Sequence, residues 1–122
     1  MLRLWIVVIV LVSTSTAAQA NWQLYRKDRQ VAASFDLLSF APYHGQPAVW
    51  VRWHYVTPRS GLGGVKLLFT ADCQKHRLYD VAEYPYDTAG EFLTPRKHYR
   101  SPKEYPLSPG SLNEATYKLL CH

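Results

Sequence analysis

The amino-acid sequence predicts an α+β domain in which about six β-strands are followed by one C-terminal helix that packs on the sheet. Three observations predict this class. Apolar and polar residues alternate through the middle of the chain, a helix-capping pattern begins at Ser111, and there are two cysteines, Cys73 and Cys121. The length of 122 residues fits one small domain and is short for two.

Residues 1–20 have the features of a secretory signal peptide, so we expect the folded domain to span residues 21–122. A basic start precedes an unbroken apolar run at residues 4–12, and Ala18-Gln19-Ala20 matches the small-residue cleavage pattern. A membrane anchor is the alternative, but this run is far shorter than the roughly 20 residues that a spanning helix needs. We therefore expect an exported protein without a transmembrane anchor after cleavage. A lipid anchor is not expected, because neither cysteine lies near the cut.

Three of the predicted strands show the period-two alternation that is typical of β-strands. The clearest are residues 48–56 and 65–72, where β-branched and aromatic residues occupy the odd positions. Because side chains alternate between the two faces of a strand, residues of one parity share a face. The predicted strands cover residues 22–26, 31–40, 48–56, 65–72 and 78–86, with a short sixth strand near residues 91–94.

Turn residues separate these strands. Residues 42–47 contain His44-Gly45 and are predicted to form a loop, and residues 57–64 have the length of a hairpin loop. Four prolines follow the last predicted strand. Proline lacks a backbone donor and fixes its own φ, so we expect irregular structure from about residue 95 to residue 109.

The tail of the chain predicts one short helix. Ser111 and Glu114 form a capping box, in which each side chain can accept a hydrogen bond from the backbone N–H group of the other residue. Glu114 and Lys118 form an i, i+4 pair on the expected solvent side. The expected buried side holds Leu112, Ala115 and Leu119. A helix this short is marginal alone and needs packing against the sheet.

Cys73 and Cys121 are expected to form a disulfide bond. Export favours oxidised cysteines, and no C-x-x-C or nucleophile motif supports free thiols. Cys73 has the parity of Leu67 and Phe69, so it should point to the face that these residues bury. Cys121 ends the helix that would cover this face. The bridge would close a loop of 48 residues and contribute about 4 kcal/mol in the chain-entropy model.

The opposite parity gives a candidate binding face. Trp50, Arg52 and His54 should point away from the helix, and Lys66 could stand beside them on the next strand. Tryptophan and arginine are enriched among the residues that dominate binding energy at interfaces. The alternatives are that a loop or a second copy of the chain covers Trp50 and that Arg52 only solvates the face.

No motif in the sequence supports an enzyme, and we expect no cofactor or metal site. The five histidines lack the spacing of metal ligands, and no G-x-S-x-G or phosphate-binding loop is present. The 14 lysines and arginines outnumber 9 acidic residues but are scattered, so a nucleic-acid partner is not expected. Attraction to acidic glycans or lipid head groups is compatible with this charge.

Several short motifs occur in a distinctive order along the chain. They are Trp22, Phe35-Asp36, Leu38-Ser39, Val49-Trp50-Val51, Cys73, Tyr79, Tyr84, the turn at residues 87–90, Pro109-Gly110-Ser111, Glu114, Tyr117 and Cys121. Together they resemble the surface-adhesin protein E family of exported bacterial proteins. The resemblance covers nearly all of residues 21–122, and it depends on the order of the motifs and the paired cysteines more than on any one motif.

This resemblance implies a twisted antiparallel sheet with the helix held on one face by the disulfide bond. It also implies a non-enzymatic adhesin that binds host extracellular-matrix or plasma glycoproteins, as a homodimer. A soluble periplasmic protein that acts on envelope proteins is the alternative. The absence of a lipid anchor favours the periplasm, with the cell surface and the medium as the other locations.

Overall fold

A computed structural model describes residues 20–122, so the predicted signal peptide lies outside the described residues except for Ala20. Within this part of the chain, one antiparallel sheet packs against one α-helix, which confirms the predicted α+β class. The strands are β1 (Trp22–Lys27), β2 (Val31–Asp36), β3 (Ala41–Tyr43), β4 (Gln46–Arg59), β5 (Leu62–Asp72), β6 (Arg77–Asp87) and β7 (Lys97–Tyr105), and the helix is α1 (Leu112–Leu120).

The strand order is β1-β2-β4-β5-β6-β7, and β3 also pairs with β4. β2 and β3 lie one after the other along the same side of β4, joined by a 3₁₀ turn at Leu37–Ser39. The Oδ1 atom of Asp36 accepts a hydrogen bond from the Leu38 amide at 3.0 Å and so ends β2. The strand predicted at residues 31–40 is therefore too long, and β3 brings the number of strands to seven.

Two hairpin turns are tighter than the sequence predicts. β4 extends to Arg59 and β5 begins at Leu62, so the predicted loop at residues 57–64 shrinks to Ser60-Gly61. Both turn residues have positive φ, 49° and 78°, as two-residue hairpin turns require. His44-Gly45, with φ of 48° and 79°, makes the same kind of turn where a loop was expected at residues 42–47.

The prolines do not exclude a strand, so the expectation of irregular structure is wrong for β7. β7 lies at the edge of the sheet and pairs only with β6. Pro102 is tolerated there because an edge strand has one side on which no ladder partner needs its donor. The sixth strand expected near residues 91–94 is reduced to an isolated bridge between Phe92 and Tyr86.

The N-terminus of α1 is capped much as predicted. The Ser111 hydroxyl accepts a hydrogen bond from the Glu114 amide at 3.2 Å. The Glu114 carboxylate accepts from the Gly110 amide at 3.2 Å and pairs with Lys118 at 3.3 Å. The Ser111 half of the predicted capping box is therefore confirmed, and the Glu114 half is shifted by one residue to Gly110. The Ser111 amide donates instead to the Ser108 carbonyl oxygen at 3.1 Å.

The buried side of α1 is turned by one position from the predicted one. Thr116 and Leu120 are buried, whereas Leu112, Ala115 and Leu119 are only half-buried. The reason is a hydrogen bond at 2.9 Å between the hydroxyl groups of Thr116 and Tyr25, which holds that side of the helix against the sheet. Sequence periodicity alone could not show this contact with β1.

The core lies between α1 and the sheet. The disulfide bond between Cys73 and Cys121, with Cα atoms 5.5 Å apart, confirms the predicted pairing and fixes the end of α1 to the end of β5. The Trp53 indole N–H donates to the Tyr25 hydroxyl at 2.9 Å, which extends the polar contacts of the helix to β4. The buried core residues are Val49, Val51, Leu67, Phe69, Ala71, Leu78 and Leu120.

Candidate binding face

The four residues predicted to form a binding face lie on the side of the sheet away from α1, which we call the open face. Across β4 and β5, Arg52 faces Lys66 and His54 faces Gly64. Directly opposed residues in an antiparallel pair project to the same face. Trp50 has the same parity as Arg52, and the core residues of these strands have the other.

Each cation at the centre of the open face lies over an aromatic ring. The Lys66 Nζ atom is 4.7 Å from the centre of the Trp50 ring, and the Arg52 guanidinium carbon is 4.6 Å from that of Trp22. A cation in this position is attracted by the negative face of the ring, by about 0.5–1 kcal/mol at exposed sites. The rings therefore hold the charges in place on the surface.

This pattern continues towards the β6 edge of the open face. The Trp50 and Tyr84 ring centres are 5.3 Å apart, and Lys66 faces Tyr84 across β5 and β6. Arg96 then lies over both Phe92 and Tyr84, at 5.0 Å and 5.6 Å from the ring centres. Cations and rings thus alternate from β1 across the sheet to the connection between β6 and β7.

Five contributors to this face were missed by the sequence analysis: Trp22, Tyr84, Tyr86, Phe92 and Arg96. Tyr84 could have been found from its place in a predicted strand, had the β5–β6 register been known. That register contains two irregularities, so parity could not be carried across it. Phe92 and Arg96 lie in a connection between strands, where no periodicity gives a direction.

His54 is engaged with another residue of the face. Its ring stacks on Tyr86 with centres 6.1 Å apart, and its Nδ1 atom is 3.2 Å from the Tyr86 hydroxyl oxygen. Gly64, opposite His54, makes room for this pair, because a Cβ atom there would meet the Tyr86 hydroxyl and the Trp53 carbonyl oxygen. His54 therefore helps to shape the face and offers one ring edge to solvent.

The cations of the open face are not neutralised by contact. Within residues 20–122, ion pairs closer than 4.0 Å join Arg77 to Glu104 and Lys118 to Glu114, and neither pair includes Arg52 or Lys66. A crevice of about 250 Å³ opens between these two cations and the Trp22, Tyr86 and Phe92 rings. Such a surface can accept an anionic group next to a flat apolar one.

A model of a protein family described as Surface-adhesin protein E matches residues 22–122 of the chain. No curated protein and no solved structure matched it. Among residues 20–122, no helix has both the length and the apolar character needed to cross a membrane.

Proposed function

Because the chain belongs to the surface-adhesin protein E family, we propose that it is an exported adhesin that binds host matrix or plasma glycoproteins through its open face. The family match indicates an adhesin-like surface protein and a non-enzymatic role. It does not favour the alternative of a periplasmic accessory protein. The ligand class and the use of the open face are the proposal.

One observation supports the open face above all: its cations lie over aromatic rings and contact no carboxylate among residues 20–122. The ring contacts restrict the long side chains before a partner arrives, so less side-chain entropy is lost on binding. Uncompensated charges attract an acidic partner and speed its association. Trp50 and Arg52 are also of the residue types that most often dominate interface energies.

The part of the helix-side face that α1 covers is poorly suited to this role. The central residues there, Val51, Leu67 and Phe69, are essentially inaccessible to solvent. On the open face, by contrast, Trp50, Arg52 and Lys66 are half-buried and His54 is exposed. A partner could therefore reach the open face without unfolding the domain.

Charge reversal on the open face tests the proposal. We expect the double variant Arg52→Glu with Lys66→Glu to bind an immobilised basement-membrane extract and plasma proteins at least about 10-fold more weakly. Arg29→Glu with Lys75→Glu is the matched control, because it reverses two exposed turn cations and gives the same net charge. Equal binding by the two variants would contradict the role of the open face.

Display at the cell surface is part of the proposal, although the sequence analysis favoured the periplasm. A membrane-impermeant amine label applied to intact cells should modify the protein. Labelling only after the outer envelope is opened would place it in the periplasm. The homodimer implied by the resemblance stays a prediction, which sedimentation of the purified protein tests.

A further inference from the structure

The helix-side face of the sheet is only half covered by α1. The helix is fixed at the end of β5 where the disulfide bond lies, and it packs on Ala71 and Leu78 at that end of the sheet. Beyond Leu67 and Tyr105 the same face is open and forms a cavity of about 440 Å³. This volume lies within the range of about 300–1,000 Å³ that is usual for small-molecule sites.

The walls of this cavity are mostly apolar and aromatic. Three rings contribute to it, those of Trp53, Tyr55 and Tyr105, together with aliphatic and proline side chains from β4, β5 and β6. Among residues 20–122, the charged residues that line it are Glu83 and Lys97. The full lining set is Trp53, Tyr55, Leu62, Val65, Leu67, Glu83, Pro85, Pro95, Lys97 and Tyr105.

Glu83 is held as an anion at the cavity wall. The Tyr105 hydroxyl donates to the Glu83 Oε1 atom at 3.3 Å and lies 3.5 Å from Oδ2 of Asp80. Hydrogen bonds from Asp80, Tyr99 and Tyr105 keep the pKa of the Glu83 carboxyl below its usual value. Of the neighbouring carboxyl groups of Glu83 and Asp80, the one that carries the negative charge is therefore Glu83, which lines the cavity.

Asp80, behind Glu83, is neutral at pH 7. Its side chain is fully buried, and burial together with the hydrogen bond and charge of Glu83 raises its pKa to about 8. In the described part of the chain no donor reaches Oδ1 of Asp80. A buried carboxyl oxygen without a donor favours the protonated form, because ionisation would leave buried negative charge without a hydrogen bond.

Lys97 forms no direct ion pair with the Glu83 carboxylate. It is exposed at the rim, it faces Glu83 across β6 and β7, and it makes no ion pair with Glu83 closer than 4.0 Å. The Lys97 charge still contributes to lowering the pKa of the Glu83 carboxyl, without a direct ion pair. Among residues 20–122, no lysine or arginine pairs directly with Glu83, so its carboxylate can take a cationic partner at the cavity wall.

We propose that this cavity binds a small organic ammonium ion, with its hydrocarbon or aromatic body against Trp53, Tyr55 and Tyr105 and its charged nitrogen at Glu83. Aromatic walls attract cations through their ring faces. A hydrogen bond to a charged group in a partly dry site contributes more than one between neutral groups. This site is separate from the open face and does not depend on the proposed adhesion.

The test uses three probes of one shape and different charge on the oxidised exported protein. They are 2-phenylethylamine, 2-phenylethanol and 3-phenylpropionate, and binding is measured by calorimetry and by NMR shifts of Trp53. We expect the amine to bind at least about 10-fold more tightly than the alcohol. Equal affinities, tighter binding of the anion, or no binding of the amine at millimolar concentration would overturn the proposal.

Two variants with opposite expected effects identify the group that recognises the ammonium. Glu83→Gln should weaken amine binding about 10- to 100-fold and leave alcohol binding unchanged. Lys97→Met removes the repulsive charge at the rim and should strengthen amine binding several-fold. Glu91→Gln is the matched control, because the same chemical change is made on an exposed residue away from the cavity. Unchanged amine affinity in both the Glu83 and Lys97 variants would overturn the proposal even if the amine binds.

Discussion

The two faces of the sheet are built from the same strands but differ in chemistry. On the helix side, Val49, Leu67 and Phe69 have lost all or nearly all contact with solvent. On the open side, Trp50 and Lys66 keep part of their surface exposed. Because side chains alternate along a strand, one segment such as β4 can stabilise the fold with one parity and present a surface with the other.

This difference separates substitutions into two groups. A change on the helix side removes buried contacts or a covalent link and should lower the free energy of unfolding. A change at a half-exposed residue of the open side should alter binding with little effect on folding, whereas Gly64, which is buried, should behave like the first group. The predictions below test this separation, from the largest expected effect on stability to the smallest.

Loss of the disulfide bond should have the largest effect on the free energy of unfolding. Cys121→Ser or full reduction should lower the free energy of unfolding by about 4 kcal/mol, because the bridge constrains a loop of 48 residues in the unfolded chain. Urea unfolding with and without reductant measures this loss. An unchanged midpoint on reduction, or two free thiols in the denatured oxidised protein, would contradict it.

Asp80 should make stability depend on pH. In the unfolded chain this carboxyl ionises near pH 4, whereas in the folded protein its pKa is about 8. Between these values the folded state holds more protons, so its stability falls as pH rises. The groups around it are Glu83, Tyr105, Tyr99 and Lys103.

Asp80→Asn should remove this fall, because the neutral amide can still donate towards Glu83. Urea unfolding of both proteins from pH 4 to pH 9 gives the difference in stability at each pH. We expect the free energy of unfolding of the variant to increase relative to that of the native protein as pH rises. A difference that stays constant with pH would show that Asp80 does not titrate in this way.

Among single changes on the open side, Gly64→Ala should lower the free energy of unfolding most, by about 2 kcal/mol. The added methyl group would meet the Trp53 carbonyl oxygen and the Tyr86 hydroxyl. The backbone atom cannot move away as a flexible side chain could. The unfolding midpoint and the NMR signals of the His54 ring report the effect. A variant of unchanged stability that keeps the His54–Tyr86 contact would contradict this explanation.

Signal-peptide cleavage should strengthen one edge of the open face. Cleavage after Ala20 turns the Asn21 nitrogen, 3.0 Å from Oδ1 of Asp36, into an ammonium group. We expect this exposed ion pair to add up to about 1 kcal/mol and to weaken with salt. Trp22 follows Asn21 directly, and its ring lies under the Arg52 guanidinium. The Asn21–Asp36 ion pair therefore also fixes part of the open face.

Mass spectrometry of the exported protein should show Asn21 as the first residue. Asp36→Asn should then destabilise the cleaved chain more than a chain that retains Ala20, in which the Asn21 nitrogen is an uncharged amide. Equal losses in the two forms would exclude the ion pair. Retention of Met1 in a membrane fraction would contradict the cleavage itself.

The features that the sequence predicted correctly are those that depend on local alternation. Parity along β5 was sufficient to direct Cys73 towards the helix, and a short local pattern was sufficient to begin α1 after Ser111. Parity also allowed Lys66 to stand beside Trp50 and Arg52, and the β4–β5 register places it opposite Arg52.

The features that were missed depend on contacts between distant segments. Pro102 argued against a strand, yet its place at the sheet edge, which no local pattern shows, makes β7 acceptable. The rotation of α1 follows from the Tyr25–Thr116 hydrogen bond, which joins residues 91 positions apart. Trp22 and Arg96 join the open face only through the completed sheet order.

The double variant Trp50→Ala with Arg52→Ala tests most directly whether the open face is for recognition and the helix side for stability. Its binding to the immobilised basement-membrane extract is the measurement, with sedimentation and urea unfolding on the same sample. We expect binding to weaken by more than about 2 kcal/mol, with an intact disulfide bond and a nearly unchanged unfolding midpoint. Unchanged binding together with unchanged self-association would show that recognition does not use this face.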